Sequence, residues 1–250
     1  MERCLLYPIG ASDSCQYAAM ILEKAGFSLT DHPSPDITHL LMDIPSFDSS
    51  GFLRDGTDLR ELLRMLPGTI SLIGGNLDLG YLEHYQKIDL LKEPYFLARN
   101  AAITAECALQ VCTPHLKSTF ADSPVLILGW GRIGKCLAKL LSSMGCPVTV
   151  AARKESDRAM LKALRYRAVD YFQIPKILPQ YKVLFNTVPD LSLHIADLRN
   201  NCIAIDLASY PGMRGENVIP ARGLPGKYAP ESSGKLIAET ILKLLKEEIS

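Results

Sequence analysis

Long apolar runs are missing from this sequence; no stretch approaches the ~18 residues that a membrane-spanning helix needs. The opening residues, MERCLLYPIGASDS, carry one arginine before a short apolar stretch and lack the extended apolar region of a secretory signal, so a cytoplasmic location is expected. Neither sign of charge is in excess. Lys and Arg total 27, as do Asp and Glu, and the formal net charge is +0, which leaves no electrostatic footprint for nucleic acid or an anionic membrane. Close cysteine pairs are missing as well. Cys4, Cys15, Cys107, Cys112, Cys136, Cys146 and Cys202 are odd in number and never spaced C-x-x-C, which argues against zinc and dithiol redox chemistry and for free thiols in a reducing compartment. The five histidines form neither H-x-H nor H-E-x-x-H, so no metal site is expected.

What is present is an apolar content of 48% in 250 residues, enough for one large α/β unit or two modest ones. "CLLYPIG" (4–10), "THLLMDIP" (38–45) and "TISLIGG" (69–75) read as strands, separated by helices over 15–27 and 58–66. Such alternation implies parallel strands with right-handed crossovers. A helix over 100–112 follows, then a polar connector, "KSTFADSP" (117–124). From residue 125 the alternation resumes: strand 125–128, helix 133–144, strand 147–152, helix 155–165, then strands over 182–189 and 202–209. The last helix is expected over 234–249, with Leu236, Ile237, Thr240, Ile241, Leu244 and Leu245 on one face.

The sharpest motif is Gly129-Trp130-Gly131-Arg132-Ile133-Gly134, a G-x-G-x-x-G between a strand and a helix. In that context the first glycine makes the tight turn, and the second lets backbone approach a pyrophosphate. The third lets helix and strand pack closely, and the helix N-terminus offers free N–H groups. A dinucleotide site is therefore expected. NAD sites place an acid at the end of the second strand, about 20 residues on; here that strand runs into Arg153 and Lys154. Two cations there suit a 2′-phosphate, which favours NADP(H) over NAD(H). "FNTVP" and "IDLAS" end two further strands with polar tips, adding Asn186, Thr187, Asp206 and Ser209 to the candidates.

An acid/base is harder to find. No histidine follows "IDLAS", and His194 reads as a surface residue. Glu106 lies in the apolar helical stretch Ala105-Glu106-Cys107, where a carboxylate is expected to be paired or protonated, as a substrate-side acid/base or as an ion-pair partner. Arg99, Arg132, Arg222 and Lys227 are cations that could hold a carboxylate, and spacing singles out none.

"NAAITAECAL", "VLILGWGRIG", "VTVAARK", "LFNTVP", "IAIDLASYPG" and "GLPGKYAPESSGKLIAETILKLL" together resemble the A-subunit family of dipicolinate synthase, a relative of the D-2-hydroxyacid dehydrogenase superfamily. "IDLASYPG" with "GLPGKYAP" is the specific pair, and the resemblance covers about residues 100–245. It implies a two-domain α/β protein: a smaller flavodoxin-like domain over 1–116, completed by the helix 234–249, and a Rossmann domain over 123–225. It also implies NADP-linked oxidation of a dihydrodipicolinate-type dicarboxylate to dipicolinate, with a flavoprotein-like B-subunit, and it leaves room for a homo-oligomer. By the family's motifs the cofactor would also meet Val188 and Pro189 beside Thr187, and the nicotinamide and substrate would lie near Asn100, Glu106, Leu207, Ala208, Ser209 and the Gly223–Gly226 turn. Tyr210 and Met213 stand where the family often has a basic residue and a second glycine, and Arg222 where it has proline. Oxidation of a dihydropyridine is driven by the aromaticity of the product, so positioning can carry the step without a histidine–carboxylate dyad. Two alternatives stay open: a non-catalytic NADP-binding or scaffold homologue, and a D-2-hydroxyacid dehydrogenase or ketoacid reductase.

Overall fold

In a computed structural model, which describes residues 4–190, 202–213, 215 and 217–247, the chain divides into two compact units. One is Met1–Asn100 with Pro225–Ser250, the other Ala101–Leu224.

The first unit is a parallel sheet of β1 (Leu5–Pro8), β2 (Ser28–Leu29), β3 (His39–Leu41), β4 (Ser71–Gly74) and β5 (Gln86–Asp89), in the order β2-β1-β3-β4-β5. That order is the flavodoxin-like one. Helix α1 (Asp13–Lys24) starts at Ser12, whose hydroxyl accepts the Cys15 N–H at 3.3 Å, and Gly26 follows its C-terminus with φ +110°. Helix α2 (Leu59–Leu63) is capped by Asp58 in the same way. Ile37, Leu40, Met42, Leu59, Ile70 and Leu72 form the core on one face of the sheet.

Helix α3 (Pro94–Cys112) starts six residues earlier than its apolar pattern implies, because Pro94 opens the first turn where a missing N–H costs nothing. Helix α8 (Pro230–Glu247), after the short α7 (Leu224–Tyr228), likewise begins at a proline rather than at Gly234. The expected end of that helix, Ile249, lies outside the described residues. Gly234 instead sits inside α8, where a Cβ would come within 2.5 Å of the Tyr17 Cβ and 2.6 Å of the Ser14 carbonyl oxygen. The glycine is what lets α8 lie against α1 with Leu236, Ile237 and Ile241 buried.

The second unit holds β6 (Val125–Leu128), α4 (Arg132–Ser143), β7 (Val148–Ala152), α5 (Glu155–Ala163), β8 (Arg167–Asp170), α6 (Ile174–Ile177), β9 (Val183–Asn186), β10 (Ile203–Asp206) and β11 (Val218–Pro220). All its strands are parallel, in the order β11-β10-β9-β6-β7-β8. This is the Rossmann arrangement, with the order reversing at β6. Every residue of β6 and β9 is buried, as a sheet covered on both faces requires. The fold expected from the sequence, two parallel α/β units with the Rossmann one second, is the fold observed.

Candidate functional site

Strand β6 ends at Leu128 and the chain turns through Gly129 into α4. Each glycine of the turn has a different reason to be there. Gly129 has φ +100°, and a Cβ on it would fall 2.6 Å from Thr187 Oγ1 and 2.7 Å from Val188 Cγ2. A Cβ on Gly134 would collide with the Gly129 carbonyl oxygen, so this glycine brings α4 onto the strand end. Gly131 differs. Its φ of −80° is open to any residue, and beyond its two chain neighbours no heavy atom of the described residues lies within 4 Å of the place its Cβ would take. Nothing among the described residues demands a glycine at that position. Gly131 is also the N-cap of α4 and has no side chain to cap the first-turn N–H groups, which stay available to a ligand. A pyrophosphate approaching the helix end would meet bare backbone, and the residues present fit a dinucleotide.

Trp130 packs edge-on against Tyr166 at 5.8 Å, and Lys135 Nζ lies 5.7 Å from its ring centroid. Arg132 is exposed at the start of α4, with Ile133 half-buried beside it.

The neighbouring strand ends are wired to this turn. Thr187 donates through both N–H and Oγ1 to the Leu128 carbonyl, at 3.0 and 2.8 Å, and the Gly129 N–H donates to the Ala151 carbonyl at 2.9 Å. At the end of β7, Arg158 Nη1 donates to the carbonyls of Ala152 and Arg153 at 2.8 and 2.6 Å, and pairs with Asp170 Oδ2 at 2.9 Å. Arg153 projects from this pinned backbone. Its Nη1 donates to Asp190 Oδ2 at 3.1 Å, and its guanidinium lies 5.8 Å from the Tyr171 ring centroid. Lys154 is exposed at the N-cap of α5, and Pro189 is exposed beyond β9.

Asn186 and Asp206 end β9 and β10 side by side, both almost wholly buried. Asp206 accepts from Asn186 Nδ2 at 2.8 Å, from the N–H groups of Gly212 and Ala208 at 2.9 and 3.4 Å, and from Arg222 Nη2 at 2.9 Å. Asn186 gives its remaining atoms to the Val188 backbone. These two side chains therefore shape the strand tips through the chain's own groups. Arg222, which also donates from Nε to the Ala208 carbonyl at 3.1 Å, is spent on the same cluster. Leu207 and Ala208 are buried behind it, and Ser209 and Tyr210 are exposed. Met213, in the place of the family's second glycine, joins the apolar core under Leu126, Leu128 and Leu184.

Glu106 is exposed on α3, so the pairing or protonation expected from its apolar neighbours is not forced on it. Asn100 is half-buried on the same helix. His194 lies outside the described residues. Among the described residues no group of three or more His, Cys, Asp or Glu side chains could hold a metal, and no helix is long and apolar enough to cross a membrane. Sequence reasoning missed the Arg153–Asp190 pair, whose members stand 37 residues apart; only the adjacency of β9, β6 and β7 brings them together.

A Rossmann dinucleotide-binding fold is what this turn and sheet define, and residues 103–194 match the model of the D-isomer specific 2-hydroxyacid dehydrogenase NAD binding domain. In sequence the chain is similar to the A-subunit of dipicolinate synthase from Bacillus subtilis (strain 168), at 27% identity over 159 residues, or 59% of this chain and 54% of that protein. The matched region thus spans about half the length of that relative. In structure it is similar to the dipicolinate synthase A-subunit from Bacillus halodurans, with a TM-score of 0.84, 20% identity and 97% of each chain covered. The corresponding structure from Bacillus subtilis gives a TM-score of 0.82 at 20% identity, covering 99% of this chain and 97% of that one. The resemblance drawn from the motifs is thus found in sequence and in fold alike.

Proposed function

We propose that the chain is an NADP-linked oxidoreductase of the kind found as the A-subunit of dipicolinate synthase, oxidising a small dihydrodipicolinate-type dicarboxylate in the cytoplasm together with a flavoprotein-like B-subunit. Gly131 carries this reading: a glycine that none of the described residues requires, at a helix N-terminus without a side-chain cap, beyond the strand where the sheet order reverses, is explained by a ligand. When bound, the dinucleotide would accept a hydride from the substrate. The substrate would also lose a proton and become an aromatic pyridine dicarboxylate. The chain's own residues would hold and orient both molecules. Gly129, Gly131, Arg132 and the first turn of α4 would take the pyrophosphate, and Arg153 with Lys154 the 2′-phosphate, hence NADP(H) ahead of NAD(H). Thr187, Val188 and Pro189 would line the dinucleotide. Asn100, Glu106 and Ser209 are the substrate-side candidates. The functional domains would be 1–116, completed by the last helix, and 123–225.

The test is reduction of NADP⁺ by a freshly generated dihydrodipicolinate, followed by nicotinamide absorbance with and without the B-subunit. Turnover lost in Gly131→Ala supports the proposal; absence of turnover under both conditions overturns it. A second reading is a dinucleotide-binding protein without turnover. It is favoured by Arg222, whose guanidinium is engaged by Asp206 and the Ala208 carbonyl rather than left for a substrate carboxylate. Tight NADPH binding without turnover in the same assay is its signature.

A further inference from the structure

The cations at the end of β7 do not stand alone. Arg153 is held by Asp190, which comes from the tip of β9, and β7 and β9 flank β6 on its two sides. The glycine turn at the end of β6 is thus bracketed by an arginine from one neighbour and a carboxylate from the other. Beneath the guanidinium lies Tyr171, whose buried hydroxyl has no partner among the described residues. Burial pushes its phenol up to about 12, Asp190 adding to the shift and Arg153 opposing it, so the phenol senses both members of the pair. The carboxylate of Asp190 is 27% exposed against 59% for Arg153, so the arginine is the member open to an arriving ligand.

We propose that Asp190 sets the dinucleotide preference of this site, by holding the guanidinium that a 2′-phosphate would otherwise take. The proposal rests on the dinucleotide reading above and sharpens it. An NADP(H) molecule must draw Arg153 away from Asp190 and then bring its phosphate charge close to the Asp190 carboxylate. An NAD(H) molecule leaves the pair as it stands. Discrimination for NADP(H) is therefore smaller than Arg153 and Lys154 alone would give. The acid that NAD sites place at the end of the second strand is replaced here by one delivered from the fourth strand of the unit.

The experiment titrates NADPH and NADH into the whole protein, wild type, Asp190→Asn, Arg153→Ala and the double variant, by Trp130 fluorescence and by calorimetry. Removing a partly exposed ion pair and the repulsion behind it should tighten NADPH binding about tenfold in Asp190→Asn. NADH should change less than about twofold, and added salt should shrink the NADPH gain. With Arg153 already removed, Asp190→Asn should improve NADPH less than about threefold. Asp190→Ser repeats the measurement should Asp190→Asn fail to fold. An NADPH affinity that is unmoved or weakened while both nucleotides still bind overturns the role of Asp190 alone. Failure of both nucleotides to bind all the proteins overturns the dinucleotide reading and this proposal with it.

Discussion

Replacing Gly131 and Gly134 by alanine, one at a time, separates a glycine kept for a ligand from a glycine kept for the fold. In Gly134→Ala the new methyl meets the Gly129 carbonyl oxygen, with the Gly129 carbonyl carbon at 3.2 Å, so the backbone of the turn itself must give. Overpacking of that kind costs about 1–3 kcal/mol. For a chain of this size that is a fall in Tm of roughly 2–12 °C. Gly131→Ala meets nothing within 4 Å among the described residues beyond its chain neighbours and needs no change of backbone region. Alanine is a poorer N-cap by several tenths of a kcal/mol, and the stiffer unfolded chain returns a similar amount, so the net stability change is within about 0.5 kcal/mol. Its methyl would nevertheless fill space that a pyrophosphate approaching the helix N-terminus needs. Loss of one close backbone contact to a phosphate weakens dinucleotide binding by about tenfold or more. The assay pairs thermal unfolding without ligand with NADPH titration followed by Trp130 fluorescence. A Gly131→Ala protein that binds NADPH as wild type does would refute the assignment of this turn. So would one that loses binding only because it has lost stability.

Three further outcomes follow from the packing. Asp206→Ala removes the acceptor shared by Arg222, Asn186 and the Gly212 N–H, leaving buried donors unmatched, and should cost about 3 kcal/mol in urea unfolding; a loss under about 1 kcal/mol would deny the cluster its structural role. Gly234→Ala should destabilise the contact of α8 with α1 by about 1–3 kcal/mol, read as faster amide exchange in both helices, whereas Gly68→Ala, with nothing within 4 Å, should be neutral. Burial pushes the thiols of Cys15 and Cys112 up from 9.0 to about 12, so the folded state keeps protons that the unfolded chain releases between those values. Stability is then full below about pH 9 and lost as pH rises, by up to about 1.4 kcal/mol per pH unit for each thiol; a flat urea midpoint from pH 8 to pH 10.5 would contradict it.

Much of this architecture is legible in the sequence because the central strands of parallel sheets are covered on both faces and appear as unbroken apolar runs. "VLIL" and "VLFN" are such runs, and all eight of their residues are buried. The four strands that the sequence pattern does not reveal, β2, β5, β8 and β11, are the four sheet edges. An edge has a neighbour on one side only, so Gln86-Lys87 and Arg167 can stay exposed and the apolar signal fades. Helix starts are obscured for another reason. Proline and glycine read as breaks, yet Pro94 and Pro230 open helices and Gly234 lies within one. At the site, the glycine spacing is local and shows in the chain. The Asp190 partner of Arg153 and the Arg222 partner of Asp206 depend on which strands the topology makes neighbours, and no local pattern carries that information.

The contact of α8 with α1 also has a consequence for the order in which the molecule can be made. Helix α1 ends at Lys24, and the helix that covers it begins at Pro230. At about 5–20 residues per second, on the order of 10–40 s of synthesis separate the two. Throughout that interval Ala18 and its neighbours are without the covering helix, while the residues from Ala101 to Leu224 emerge as one uninterrupted segment. The segment made second can close its sheet first. The segment made first must wait for the end of translation, so nascent chains stalled after Leu224 would carry a finished dinucleotide unit beside an uncovered one.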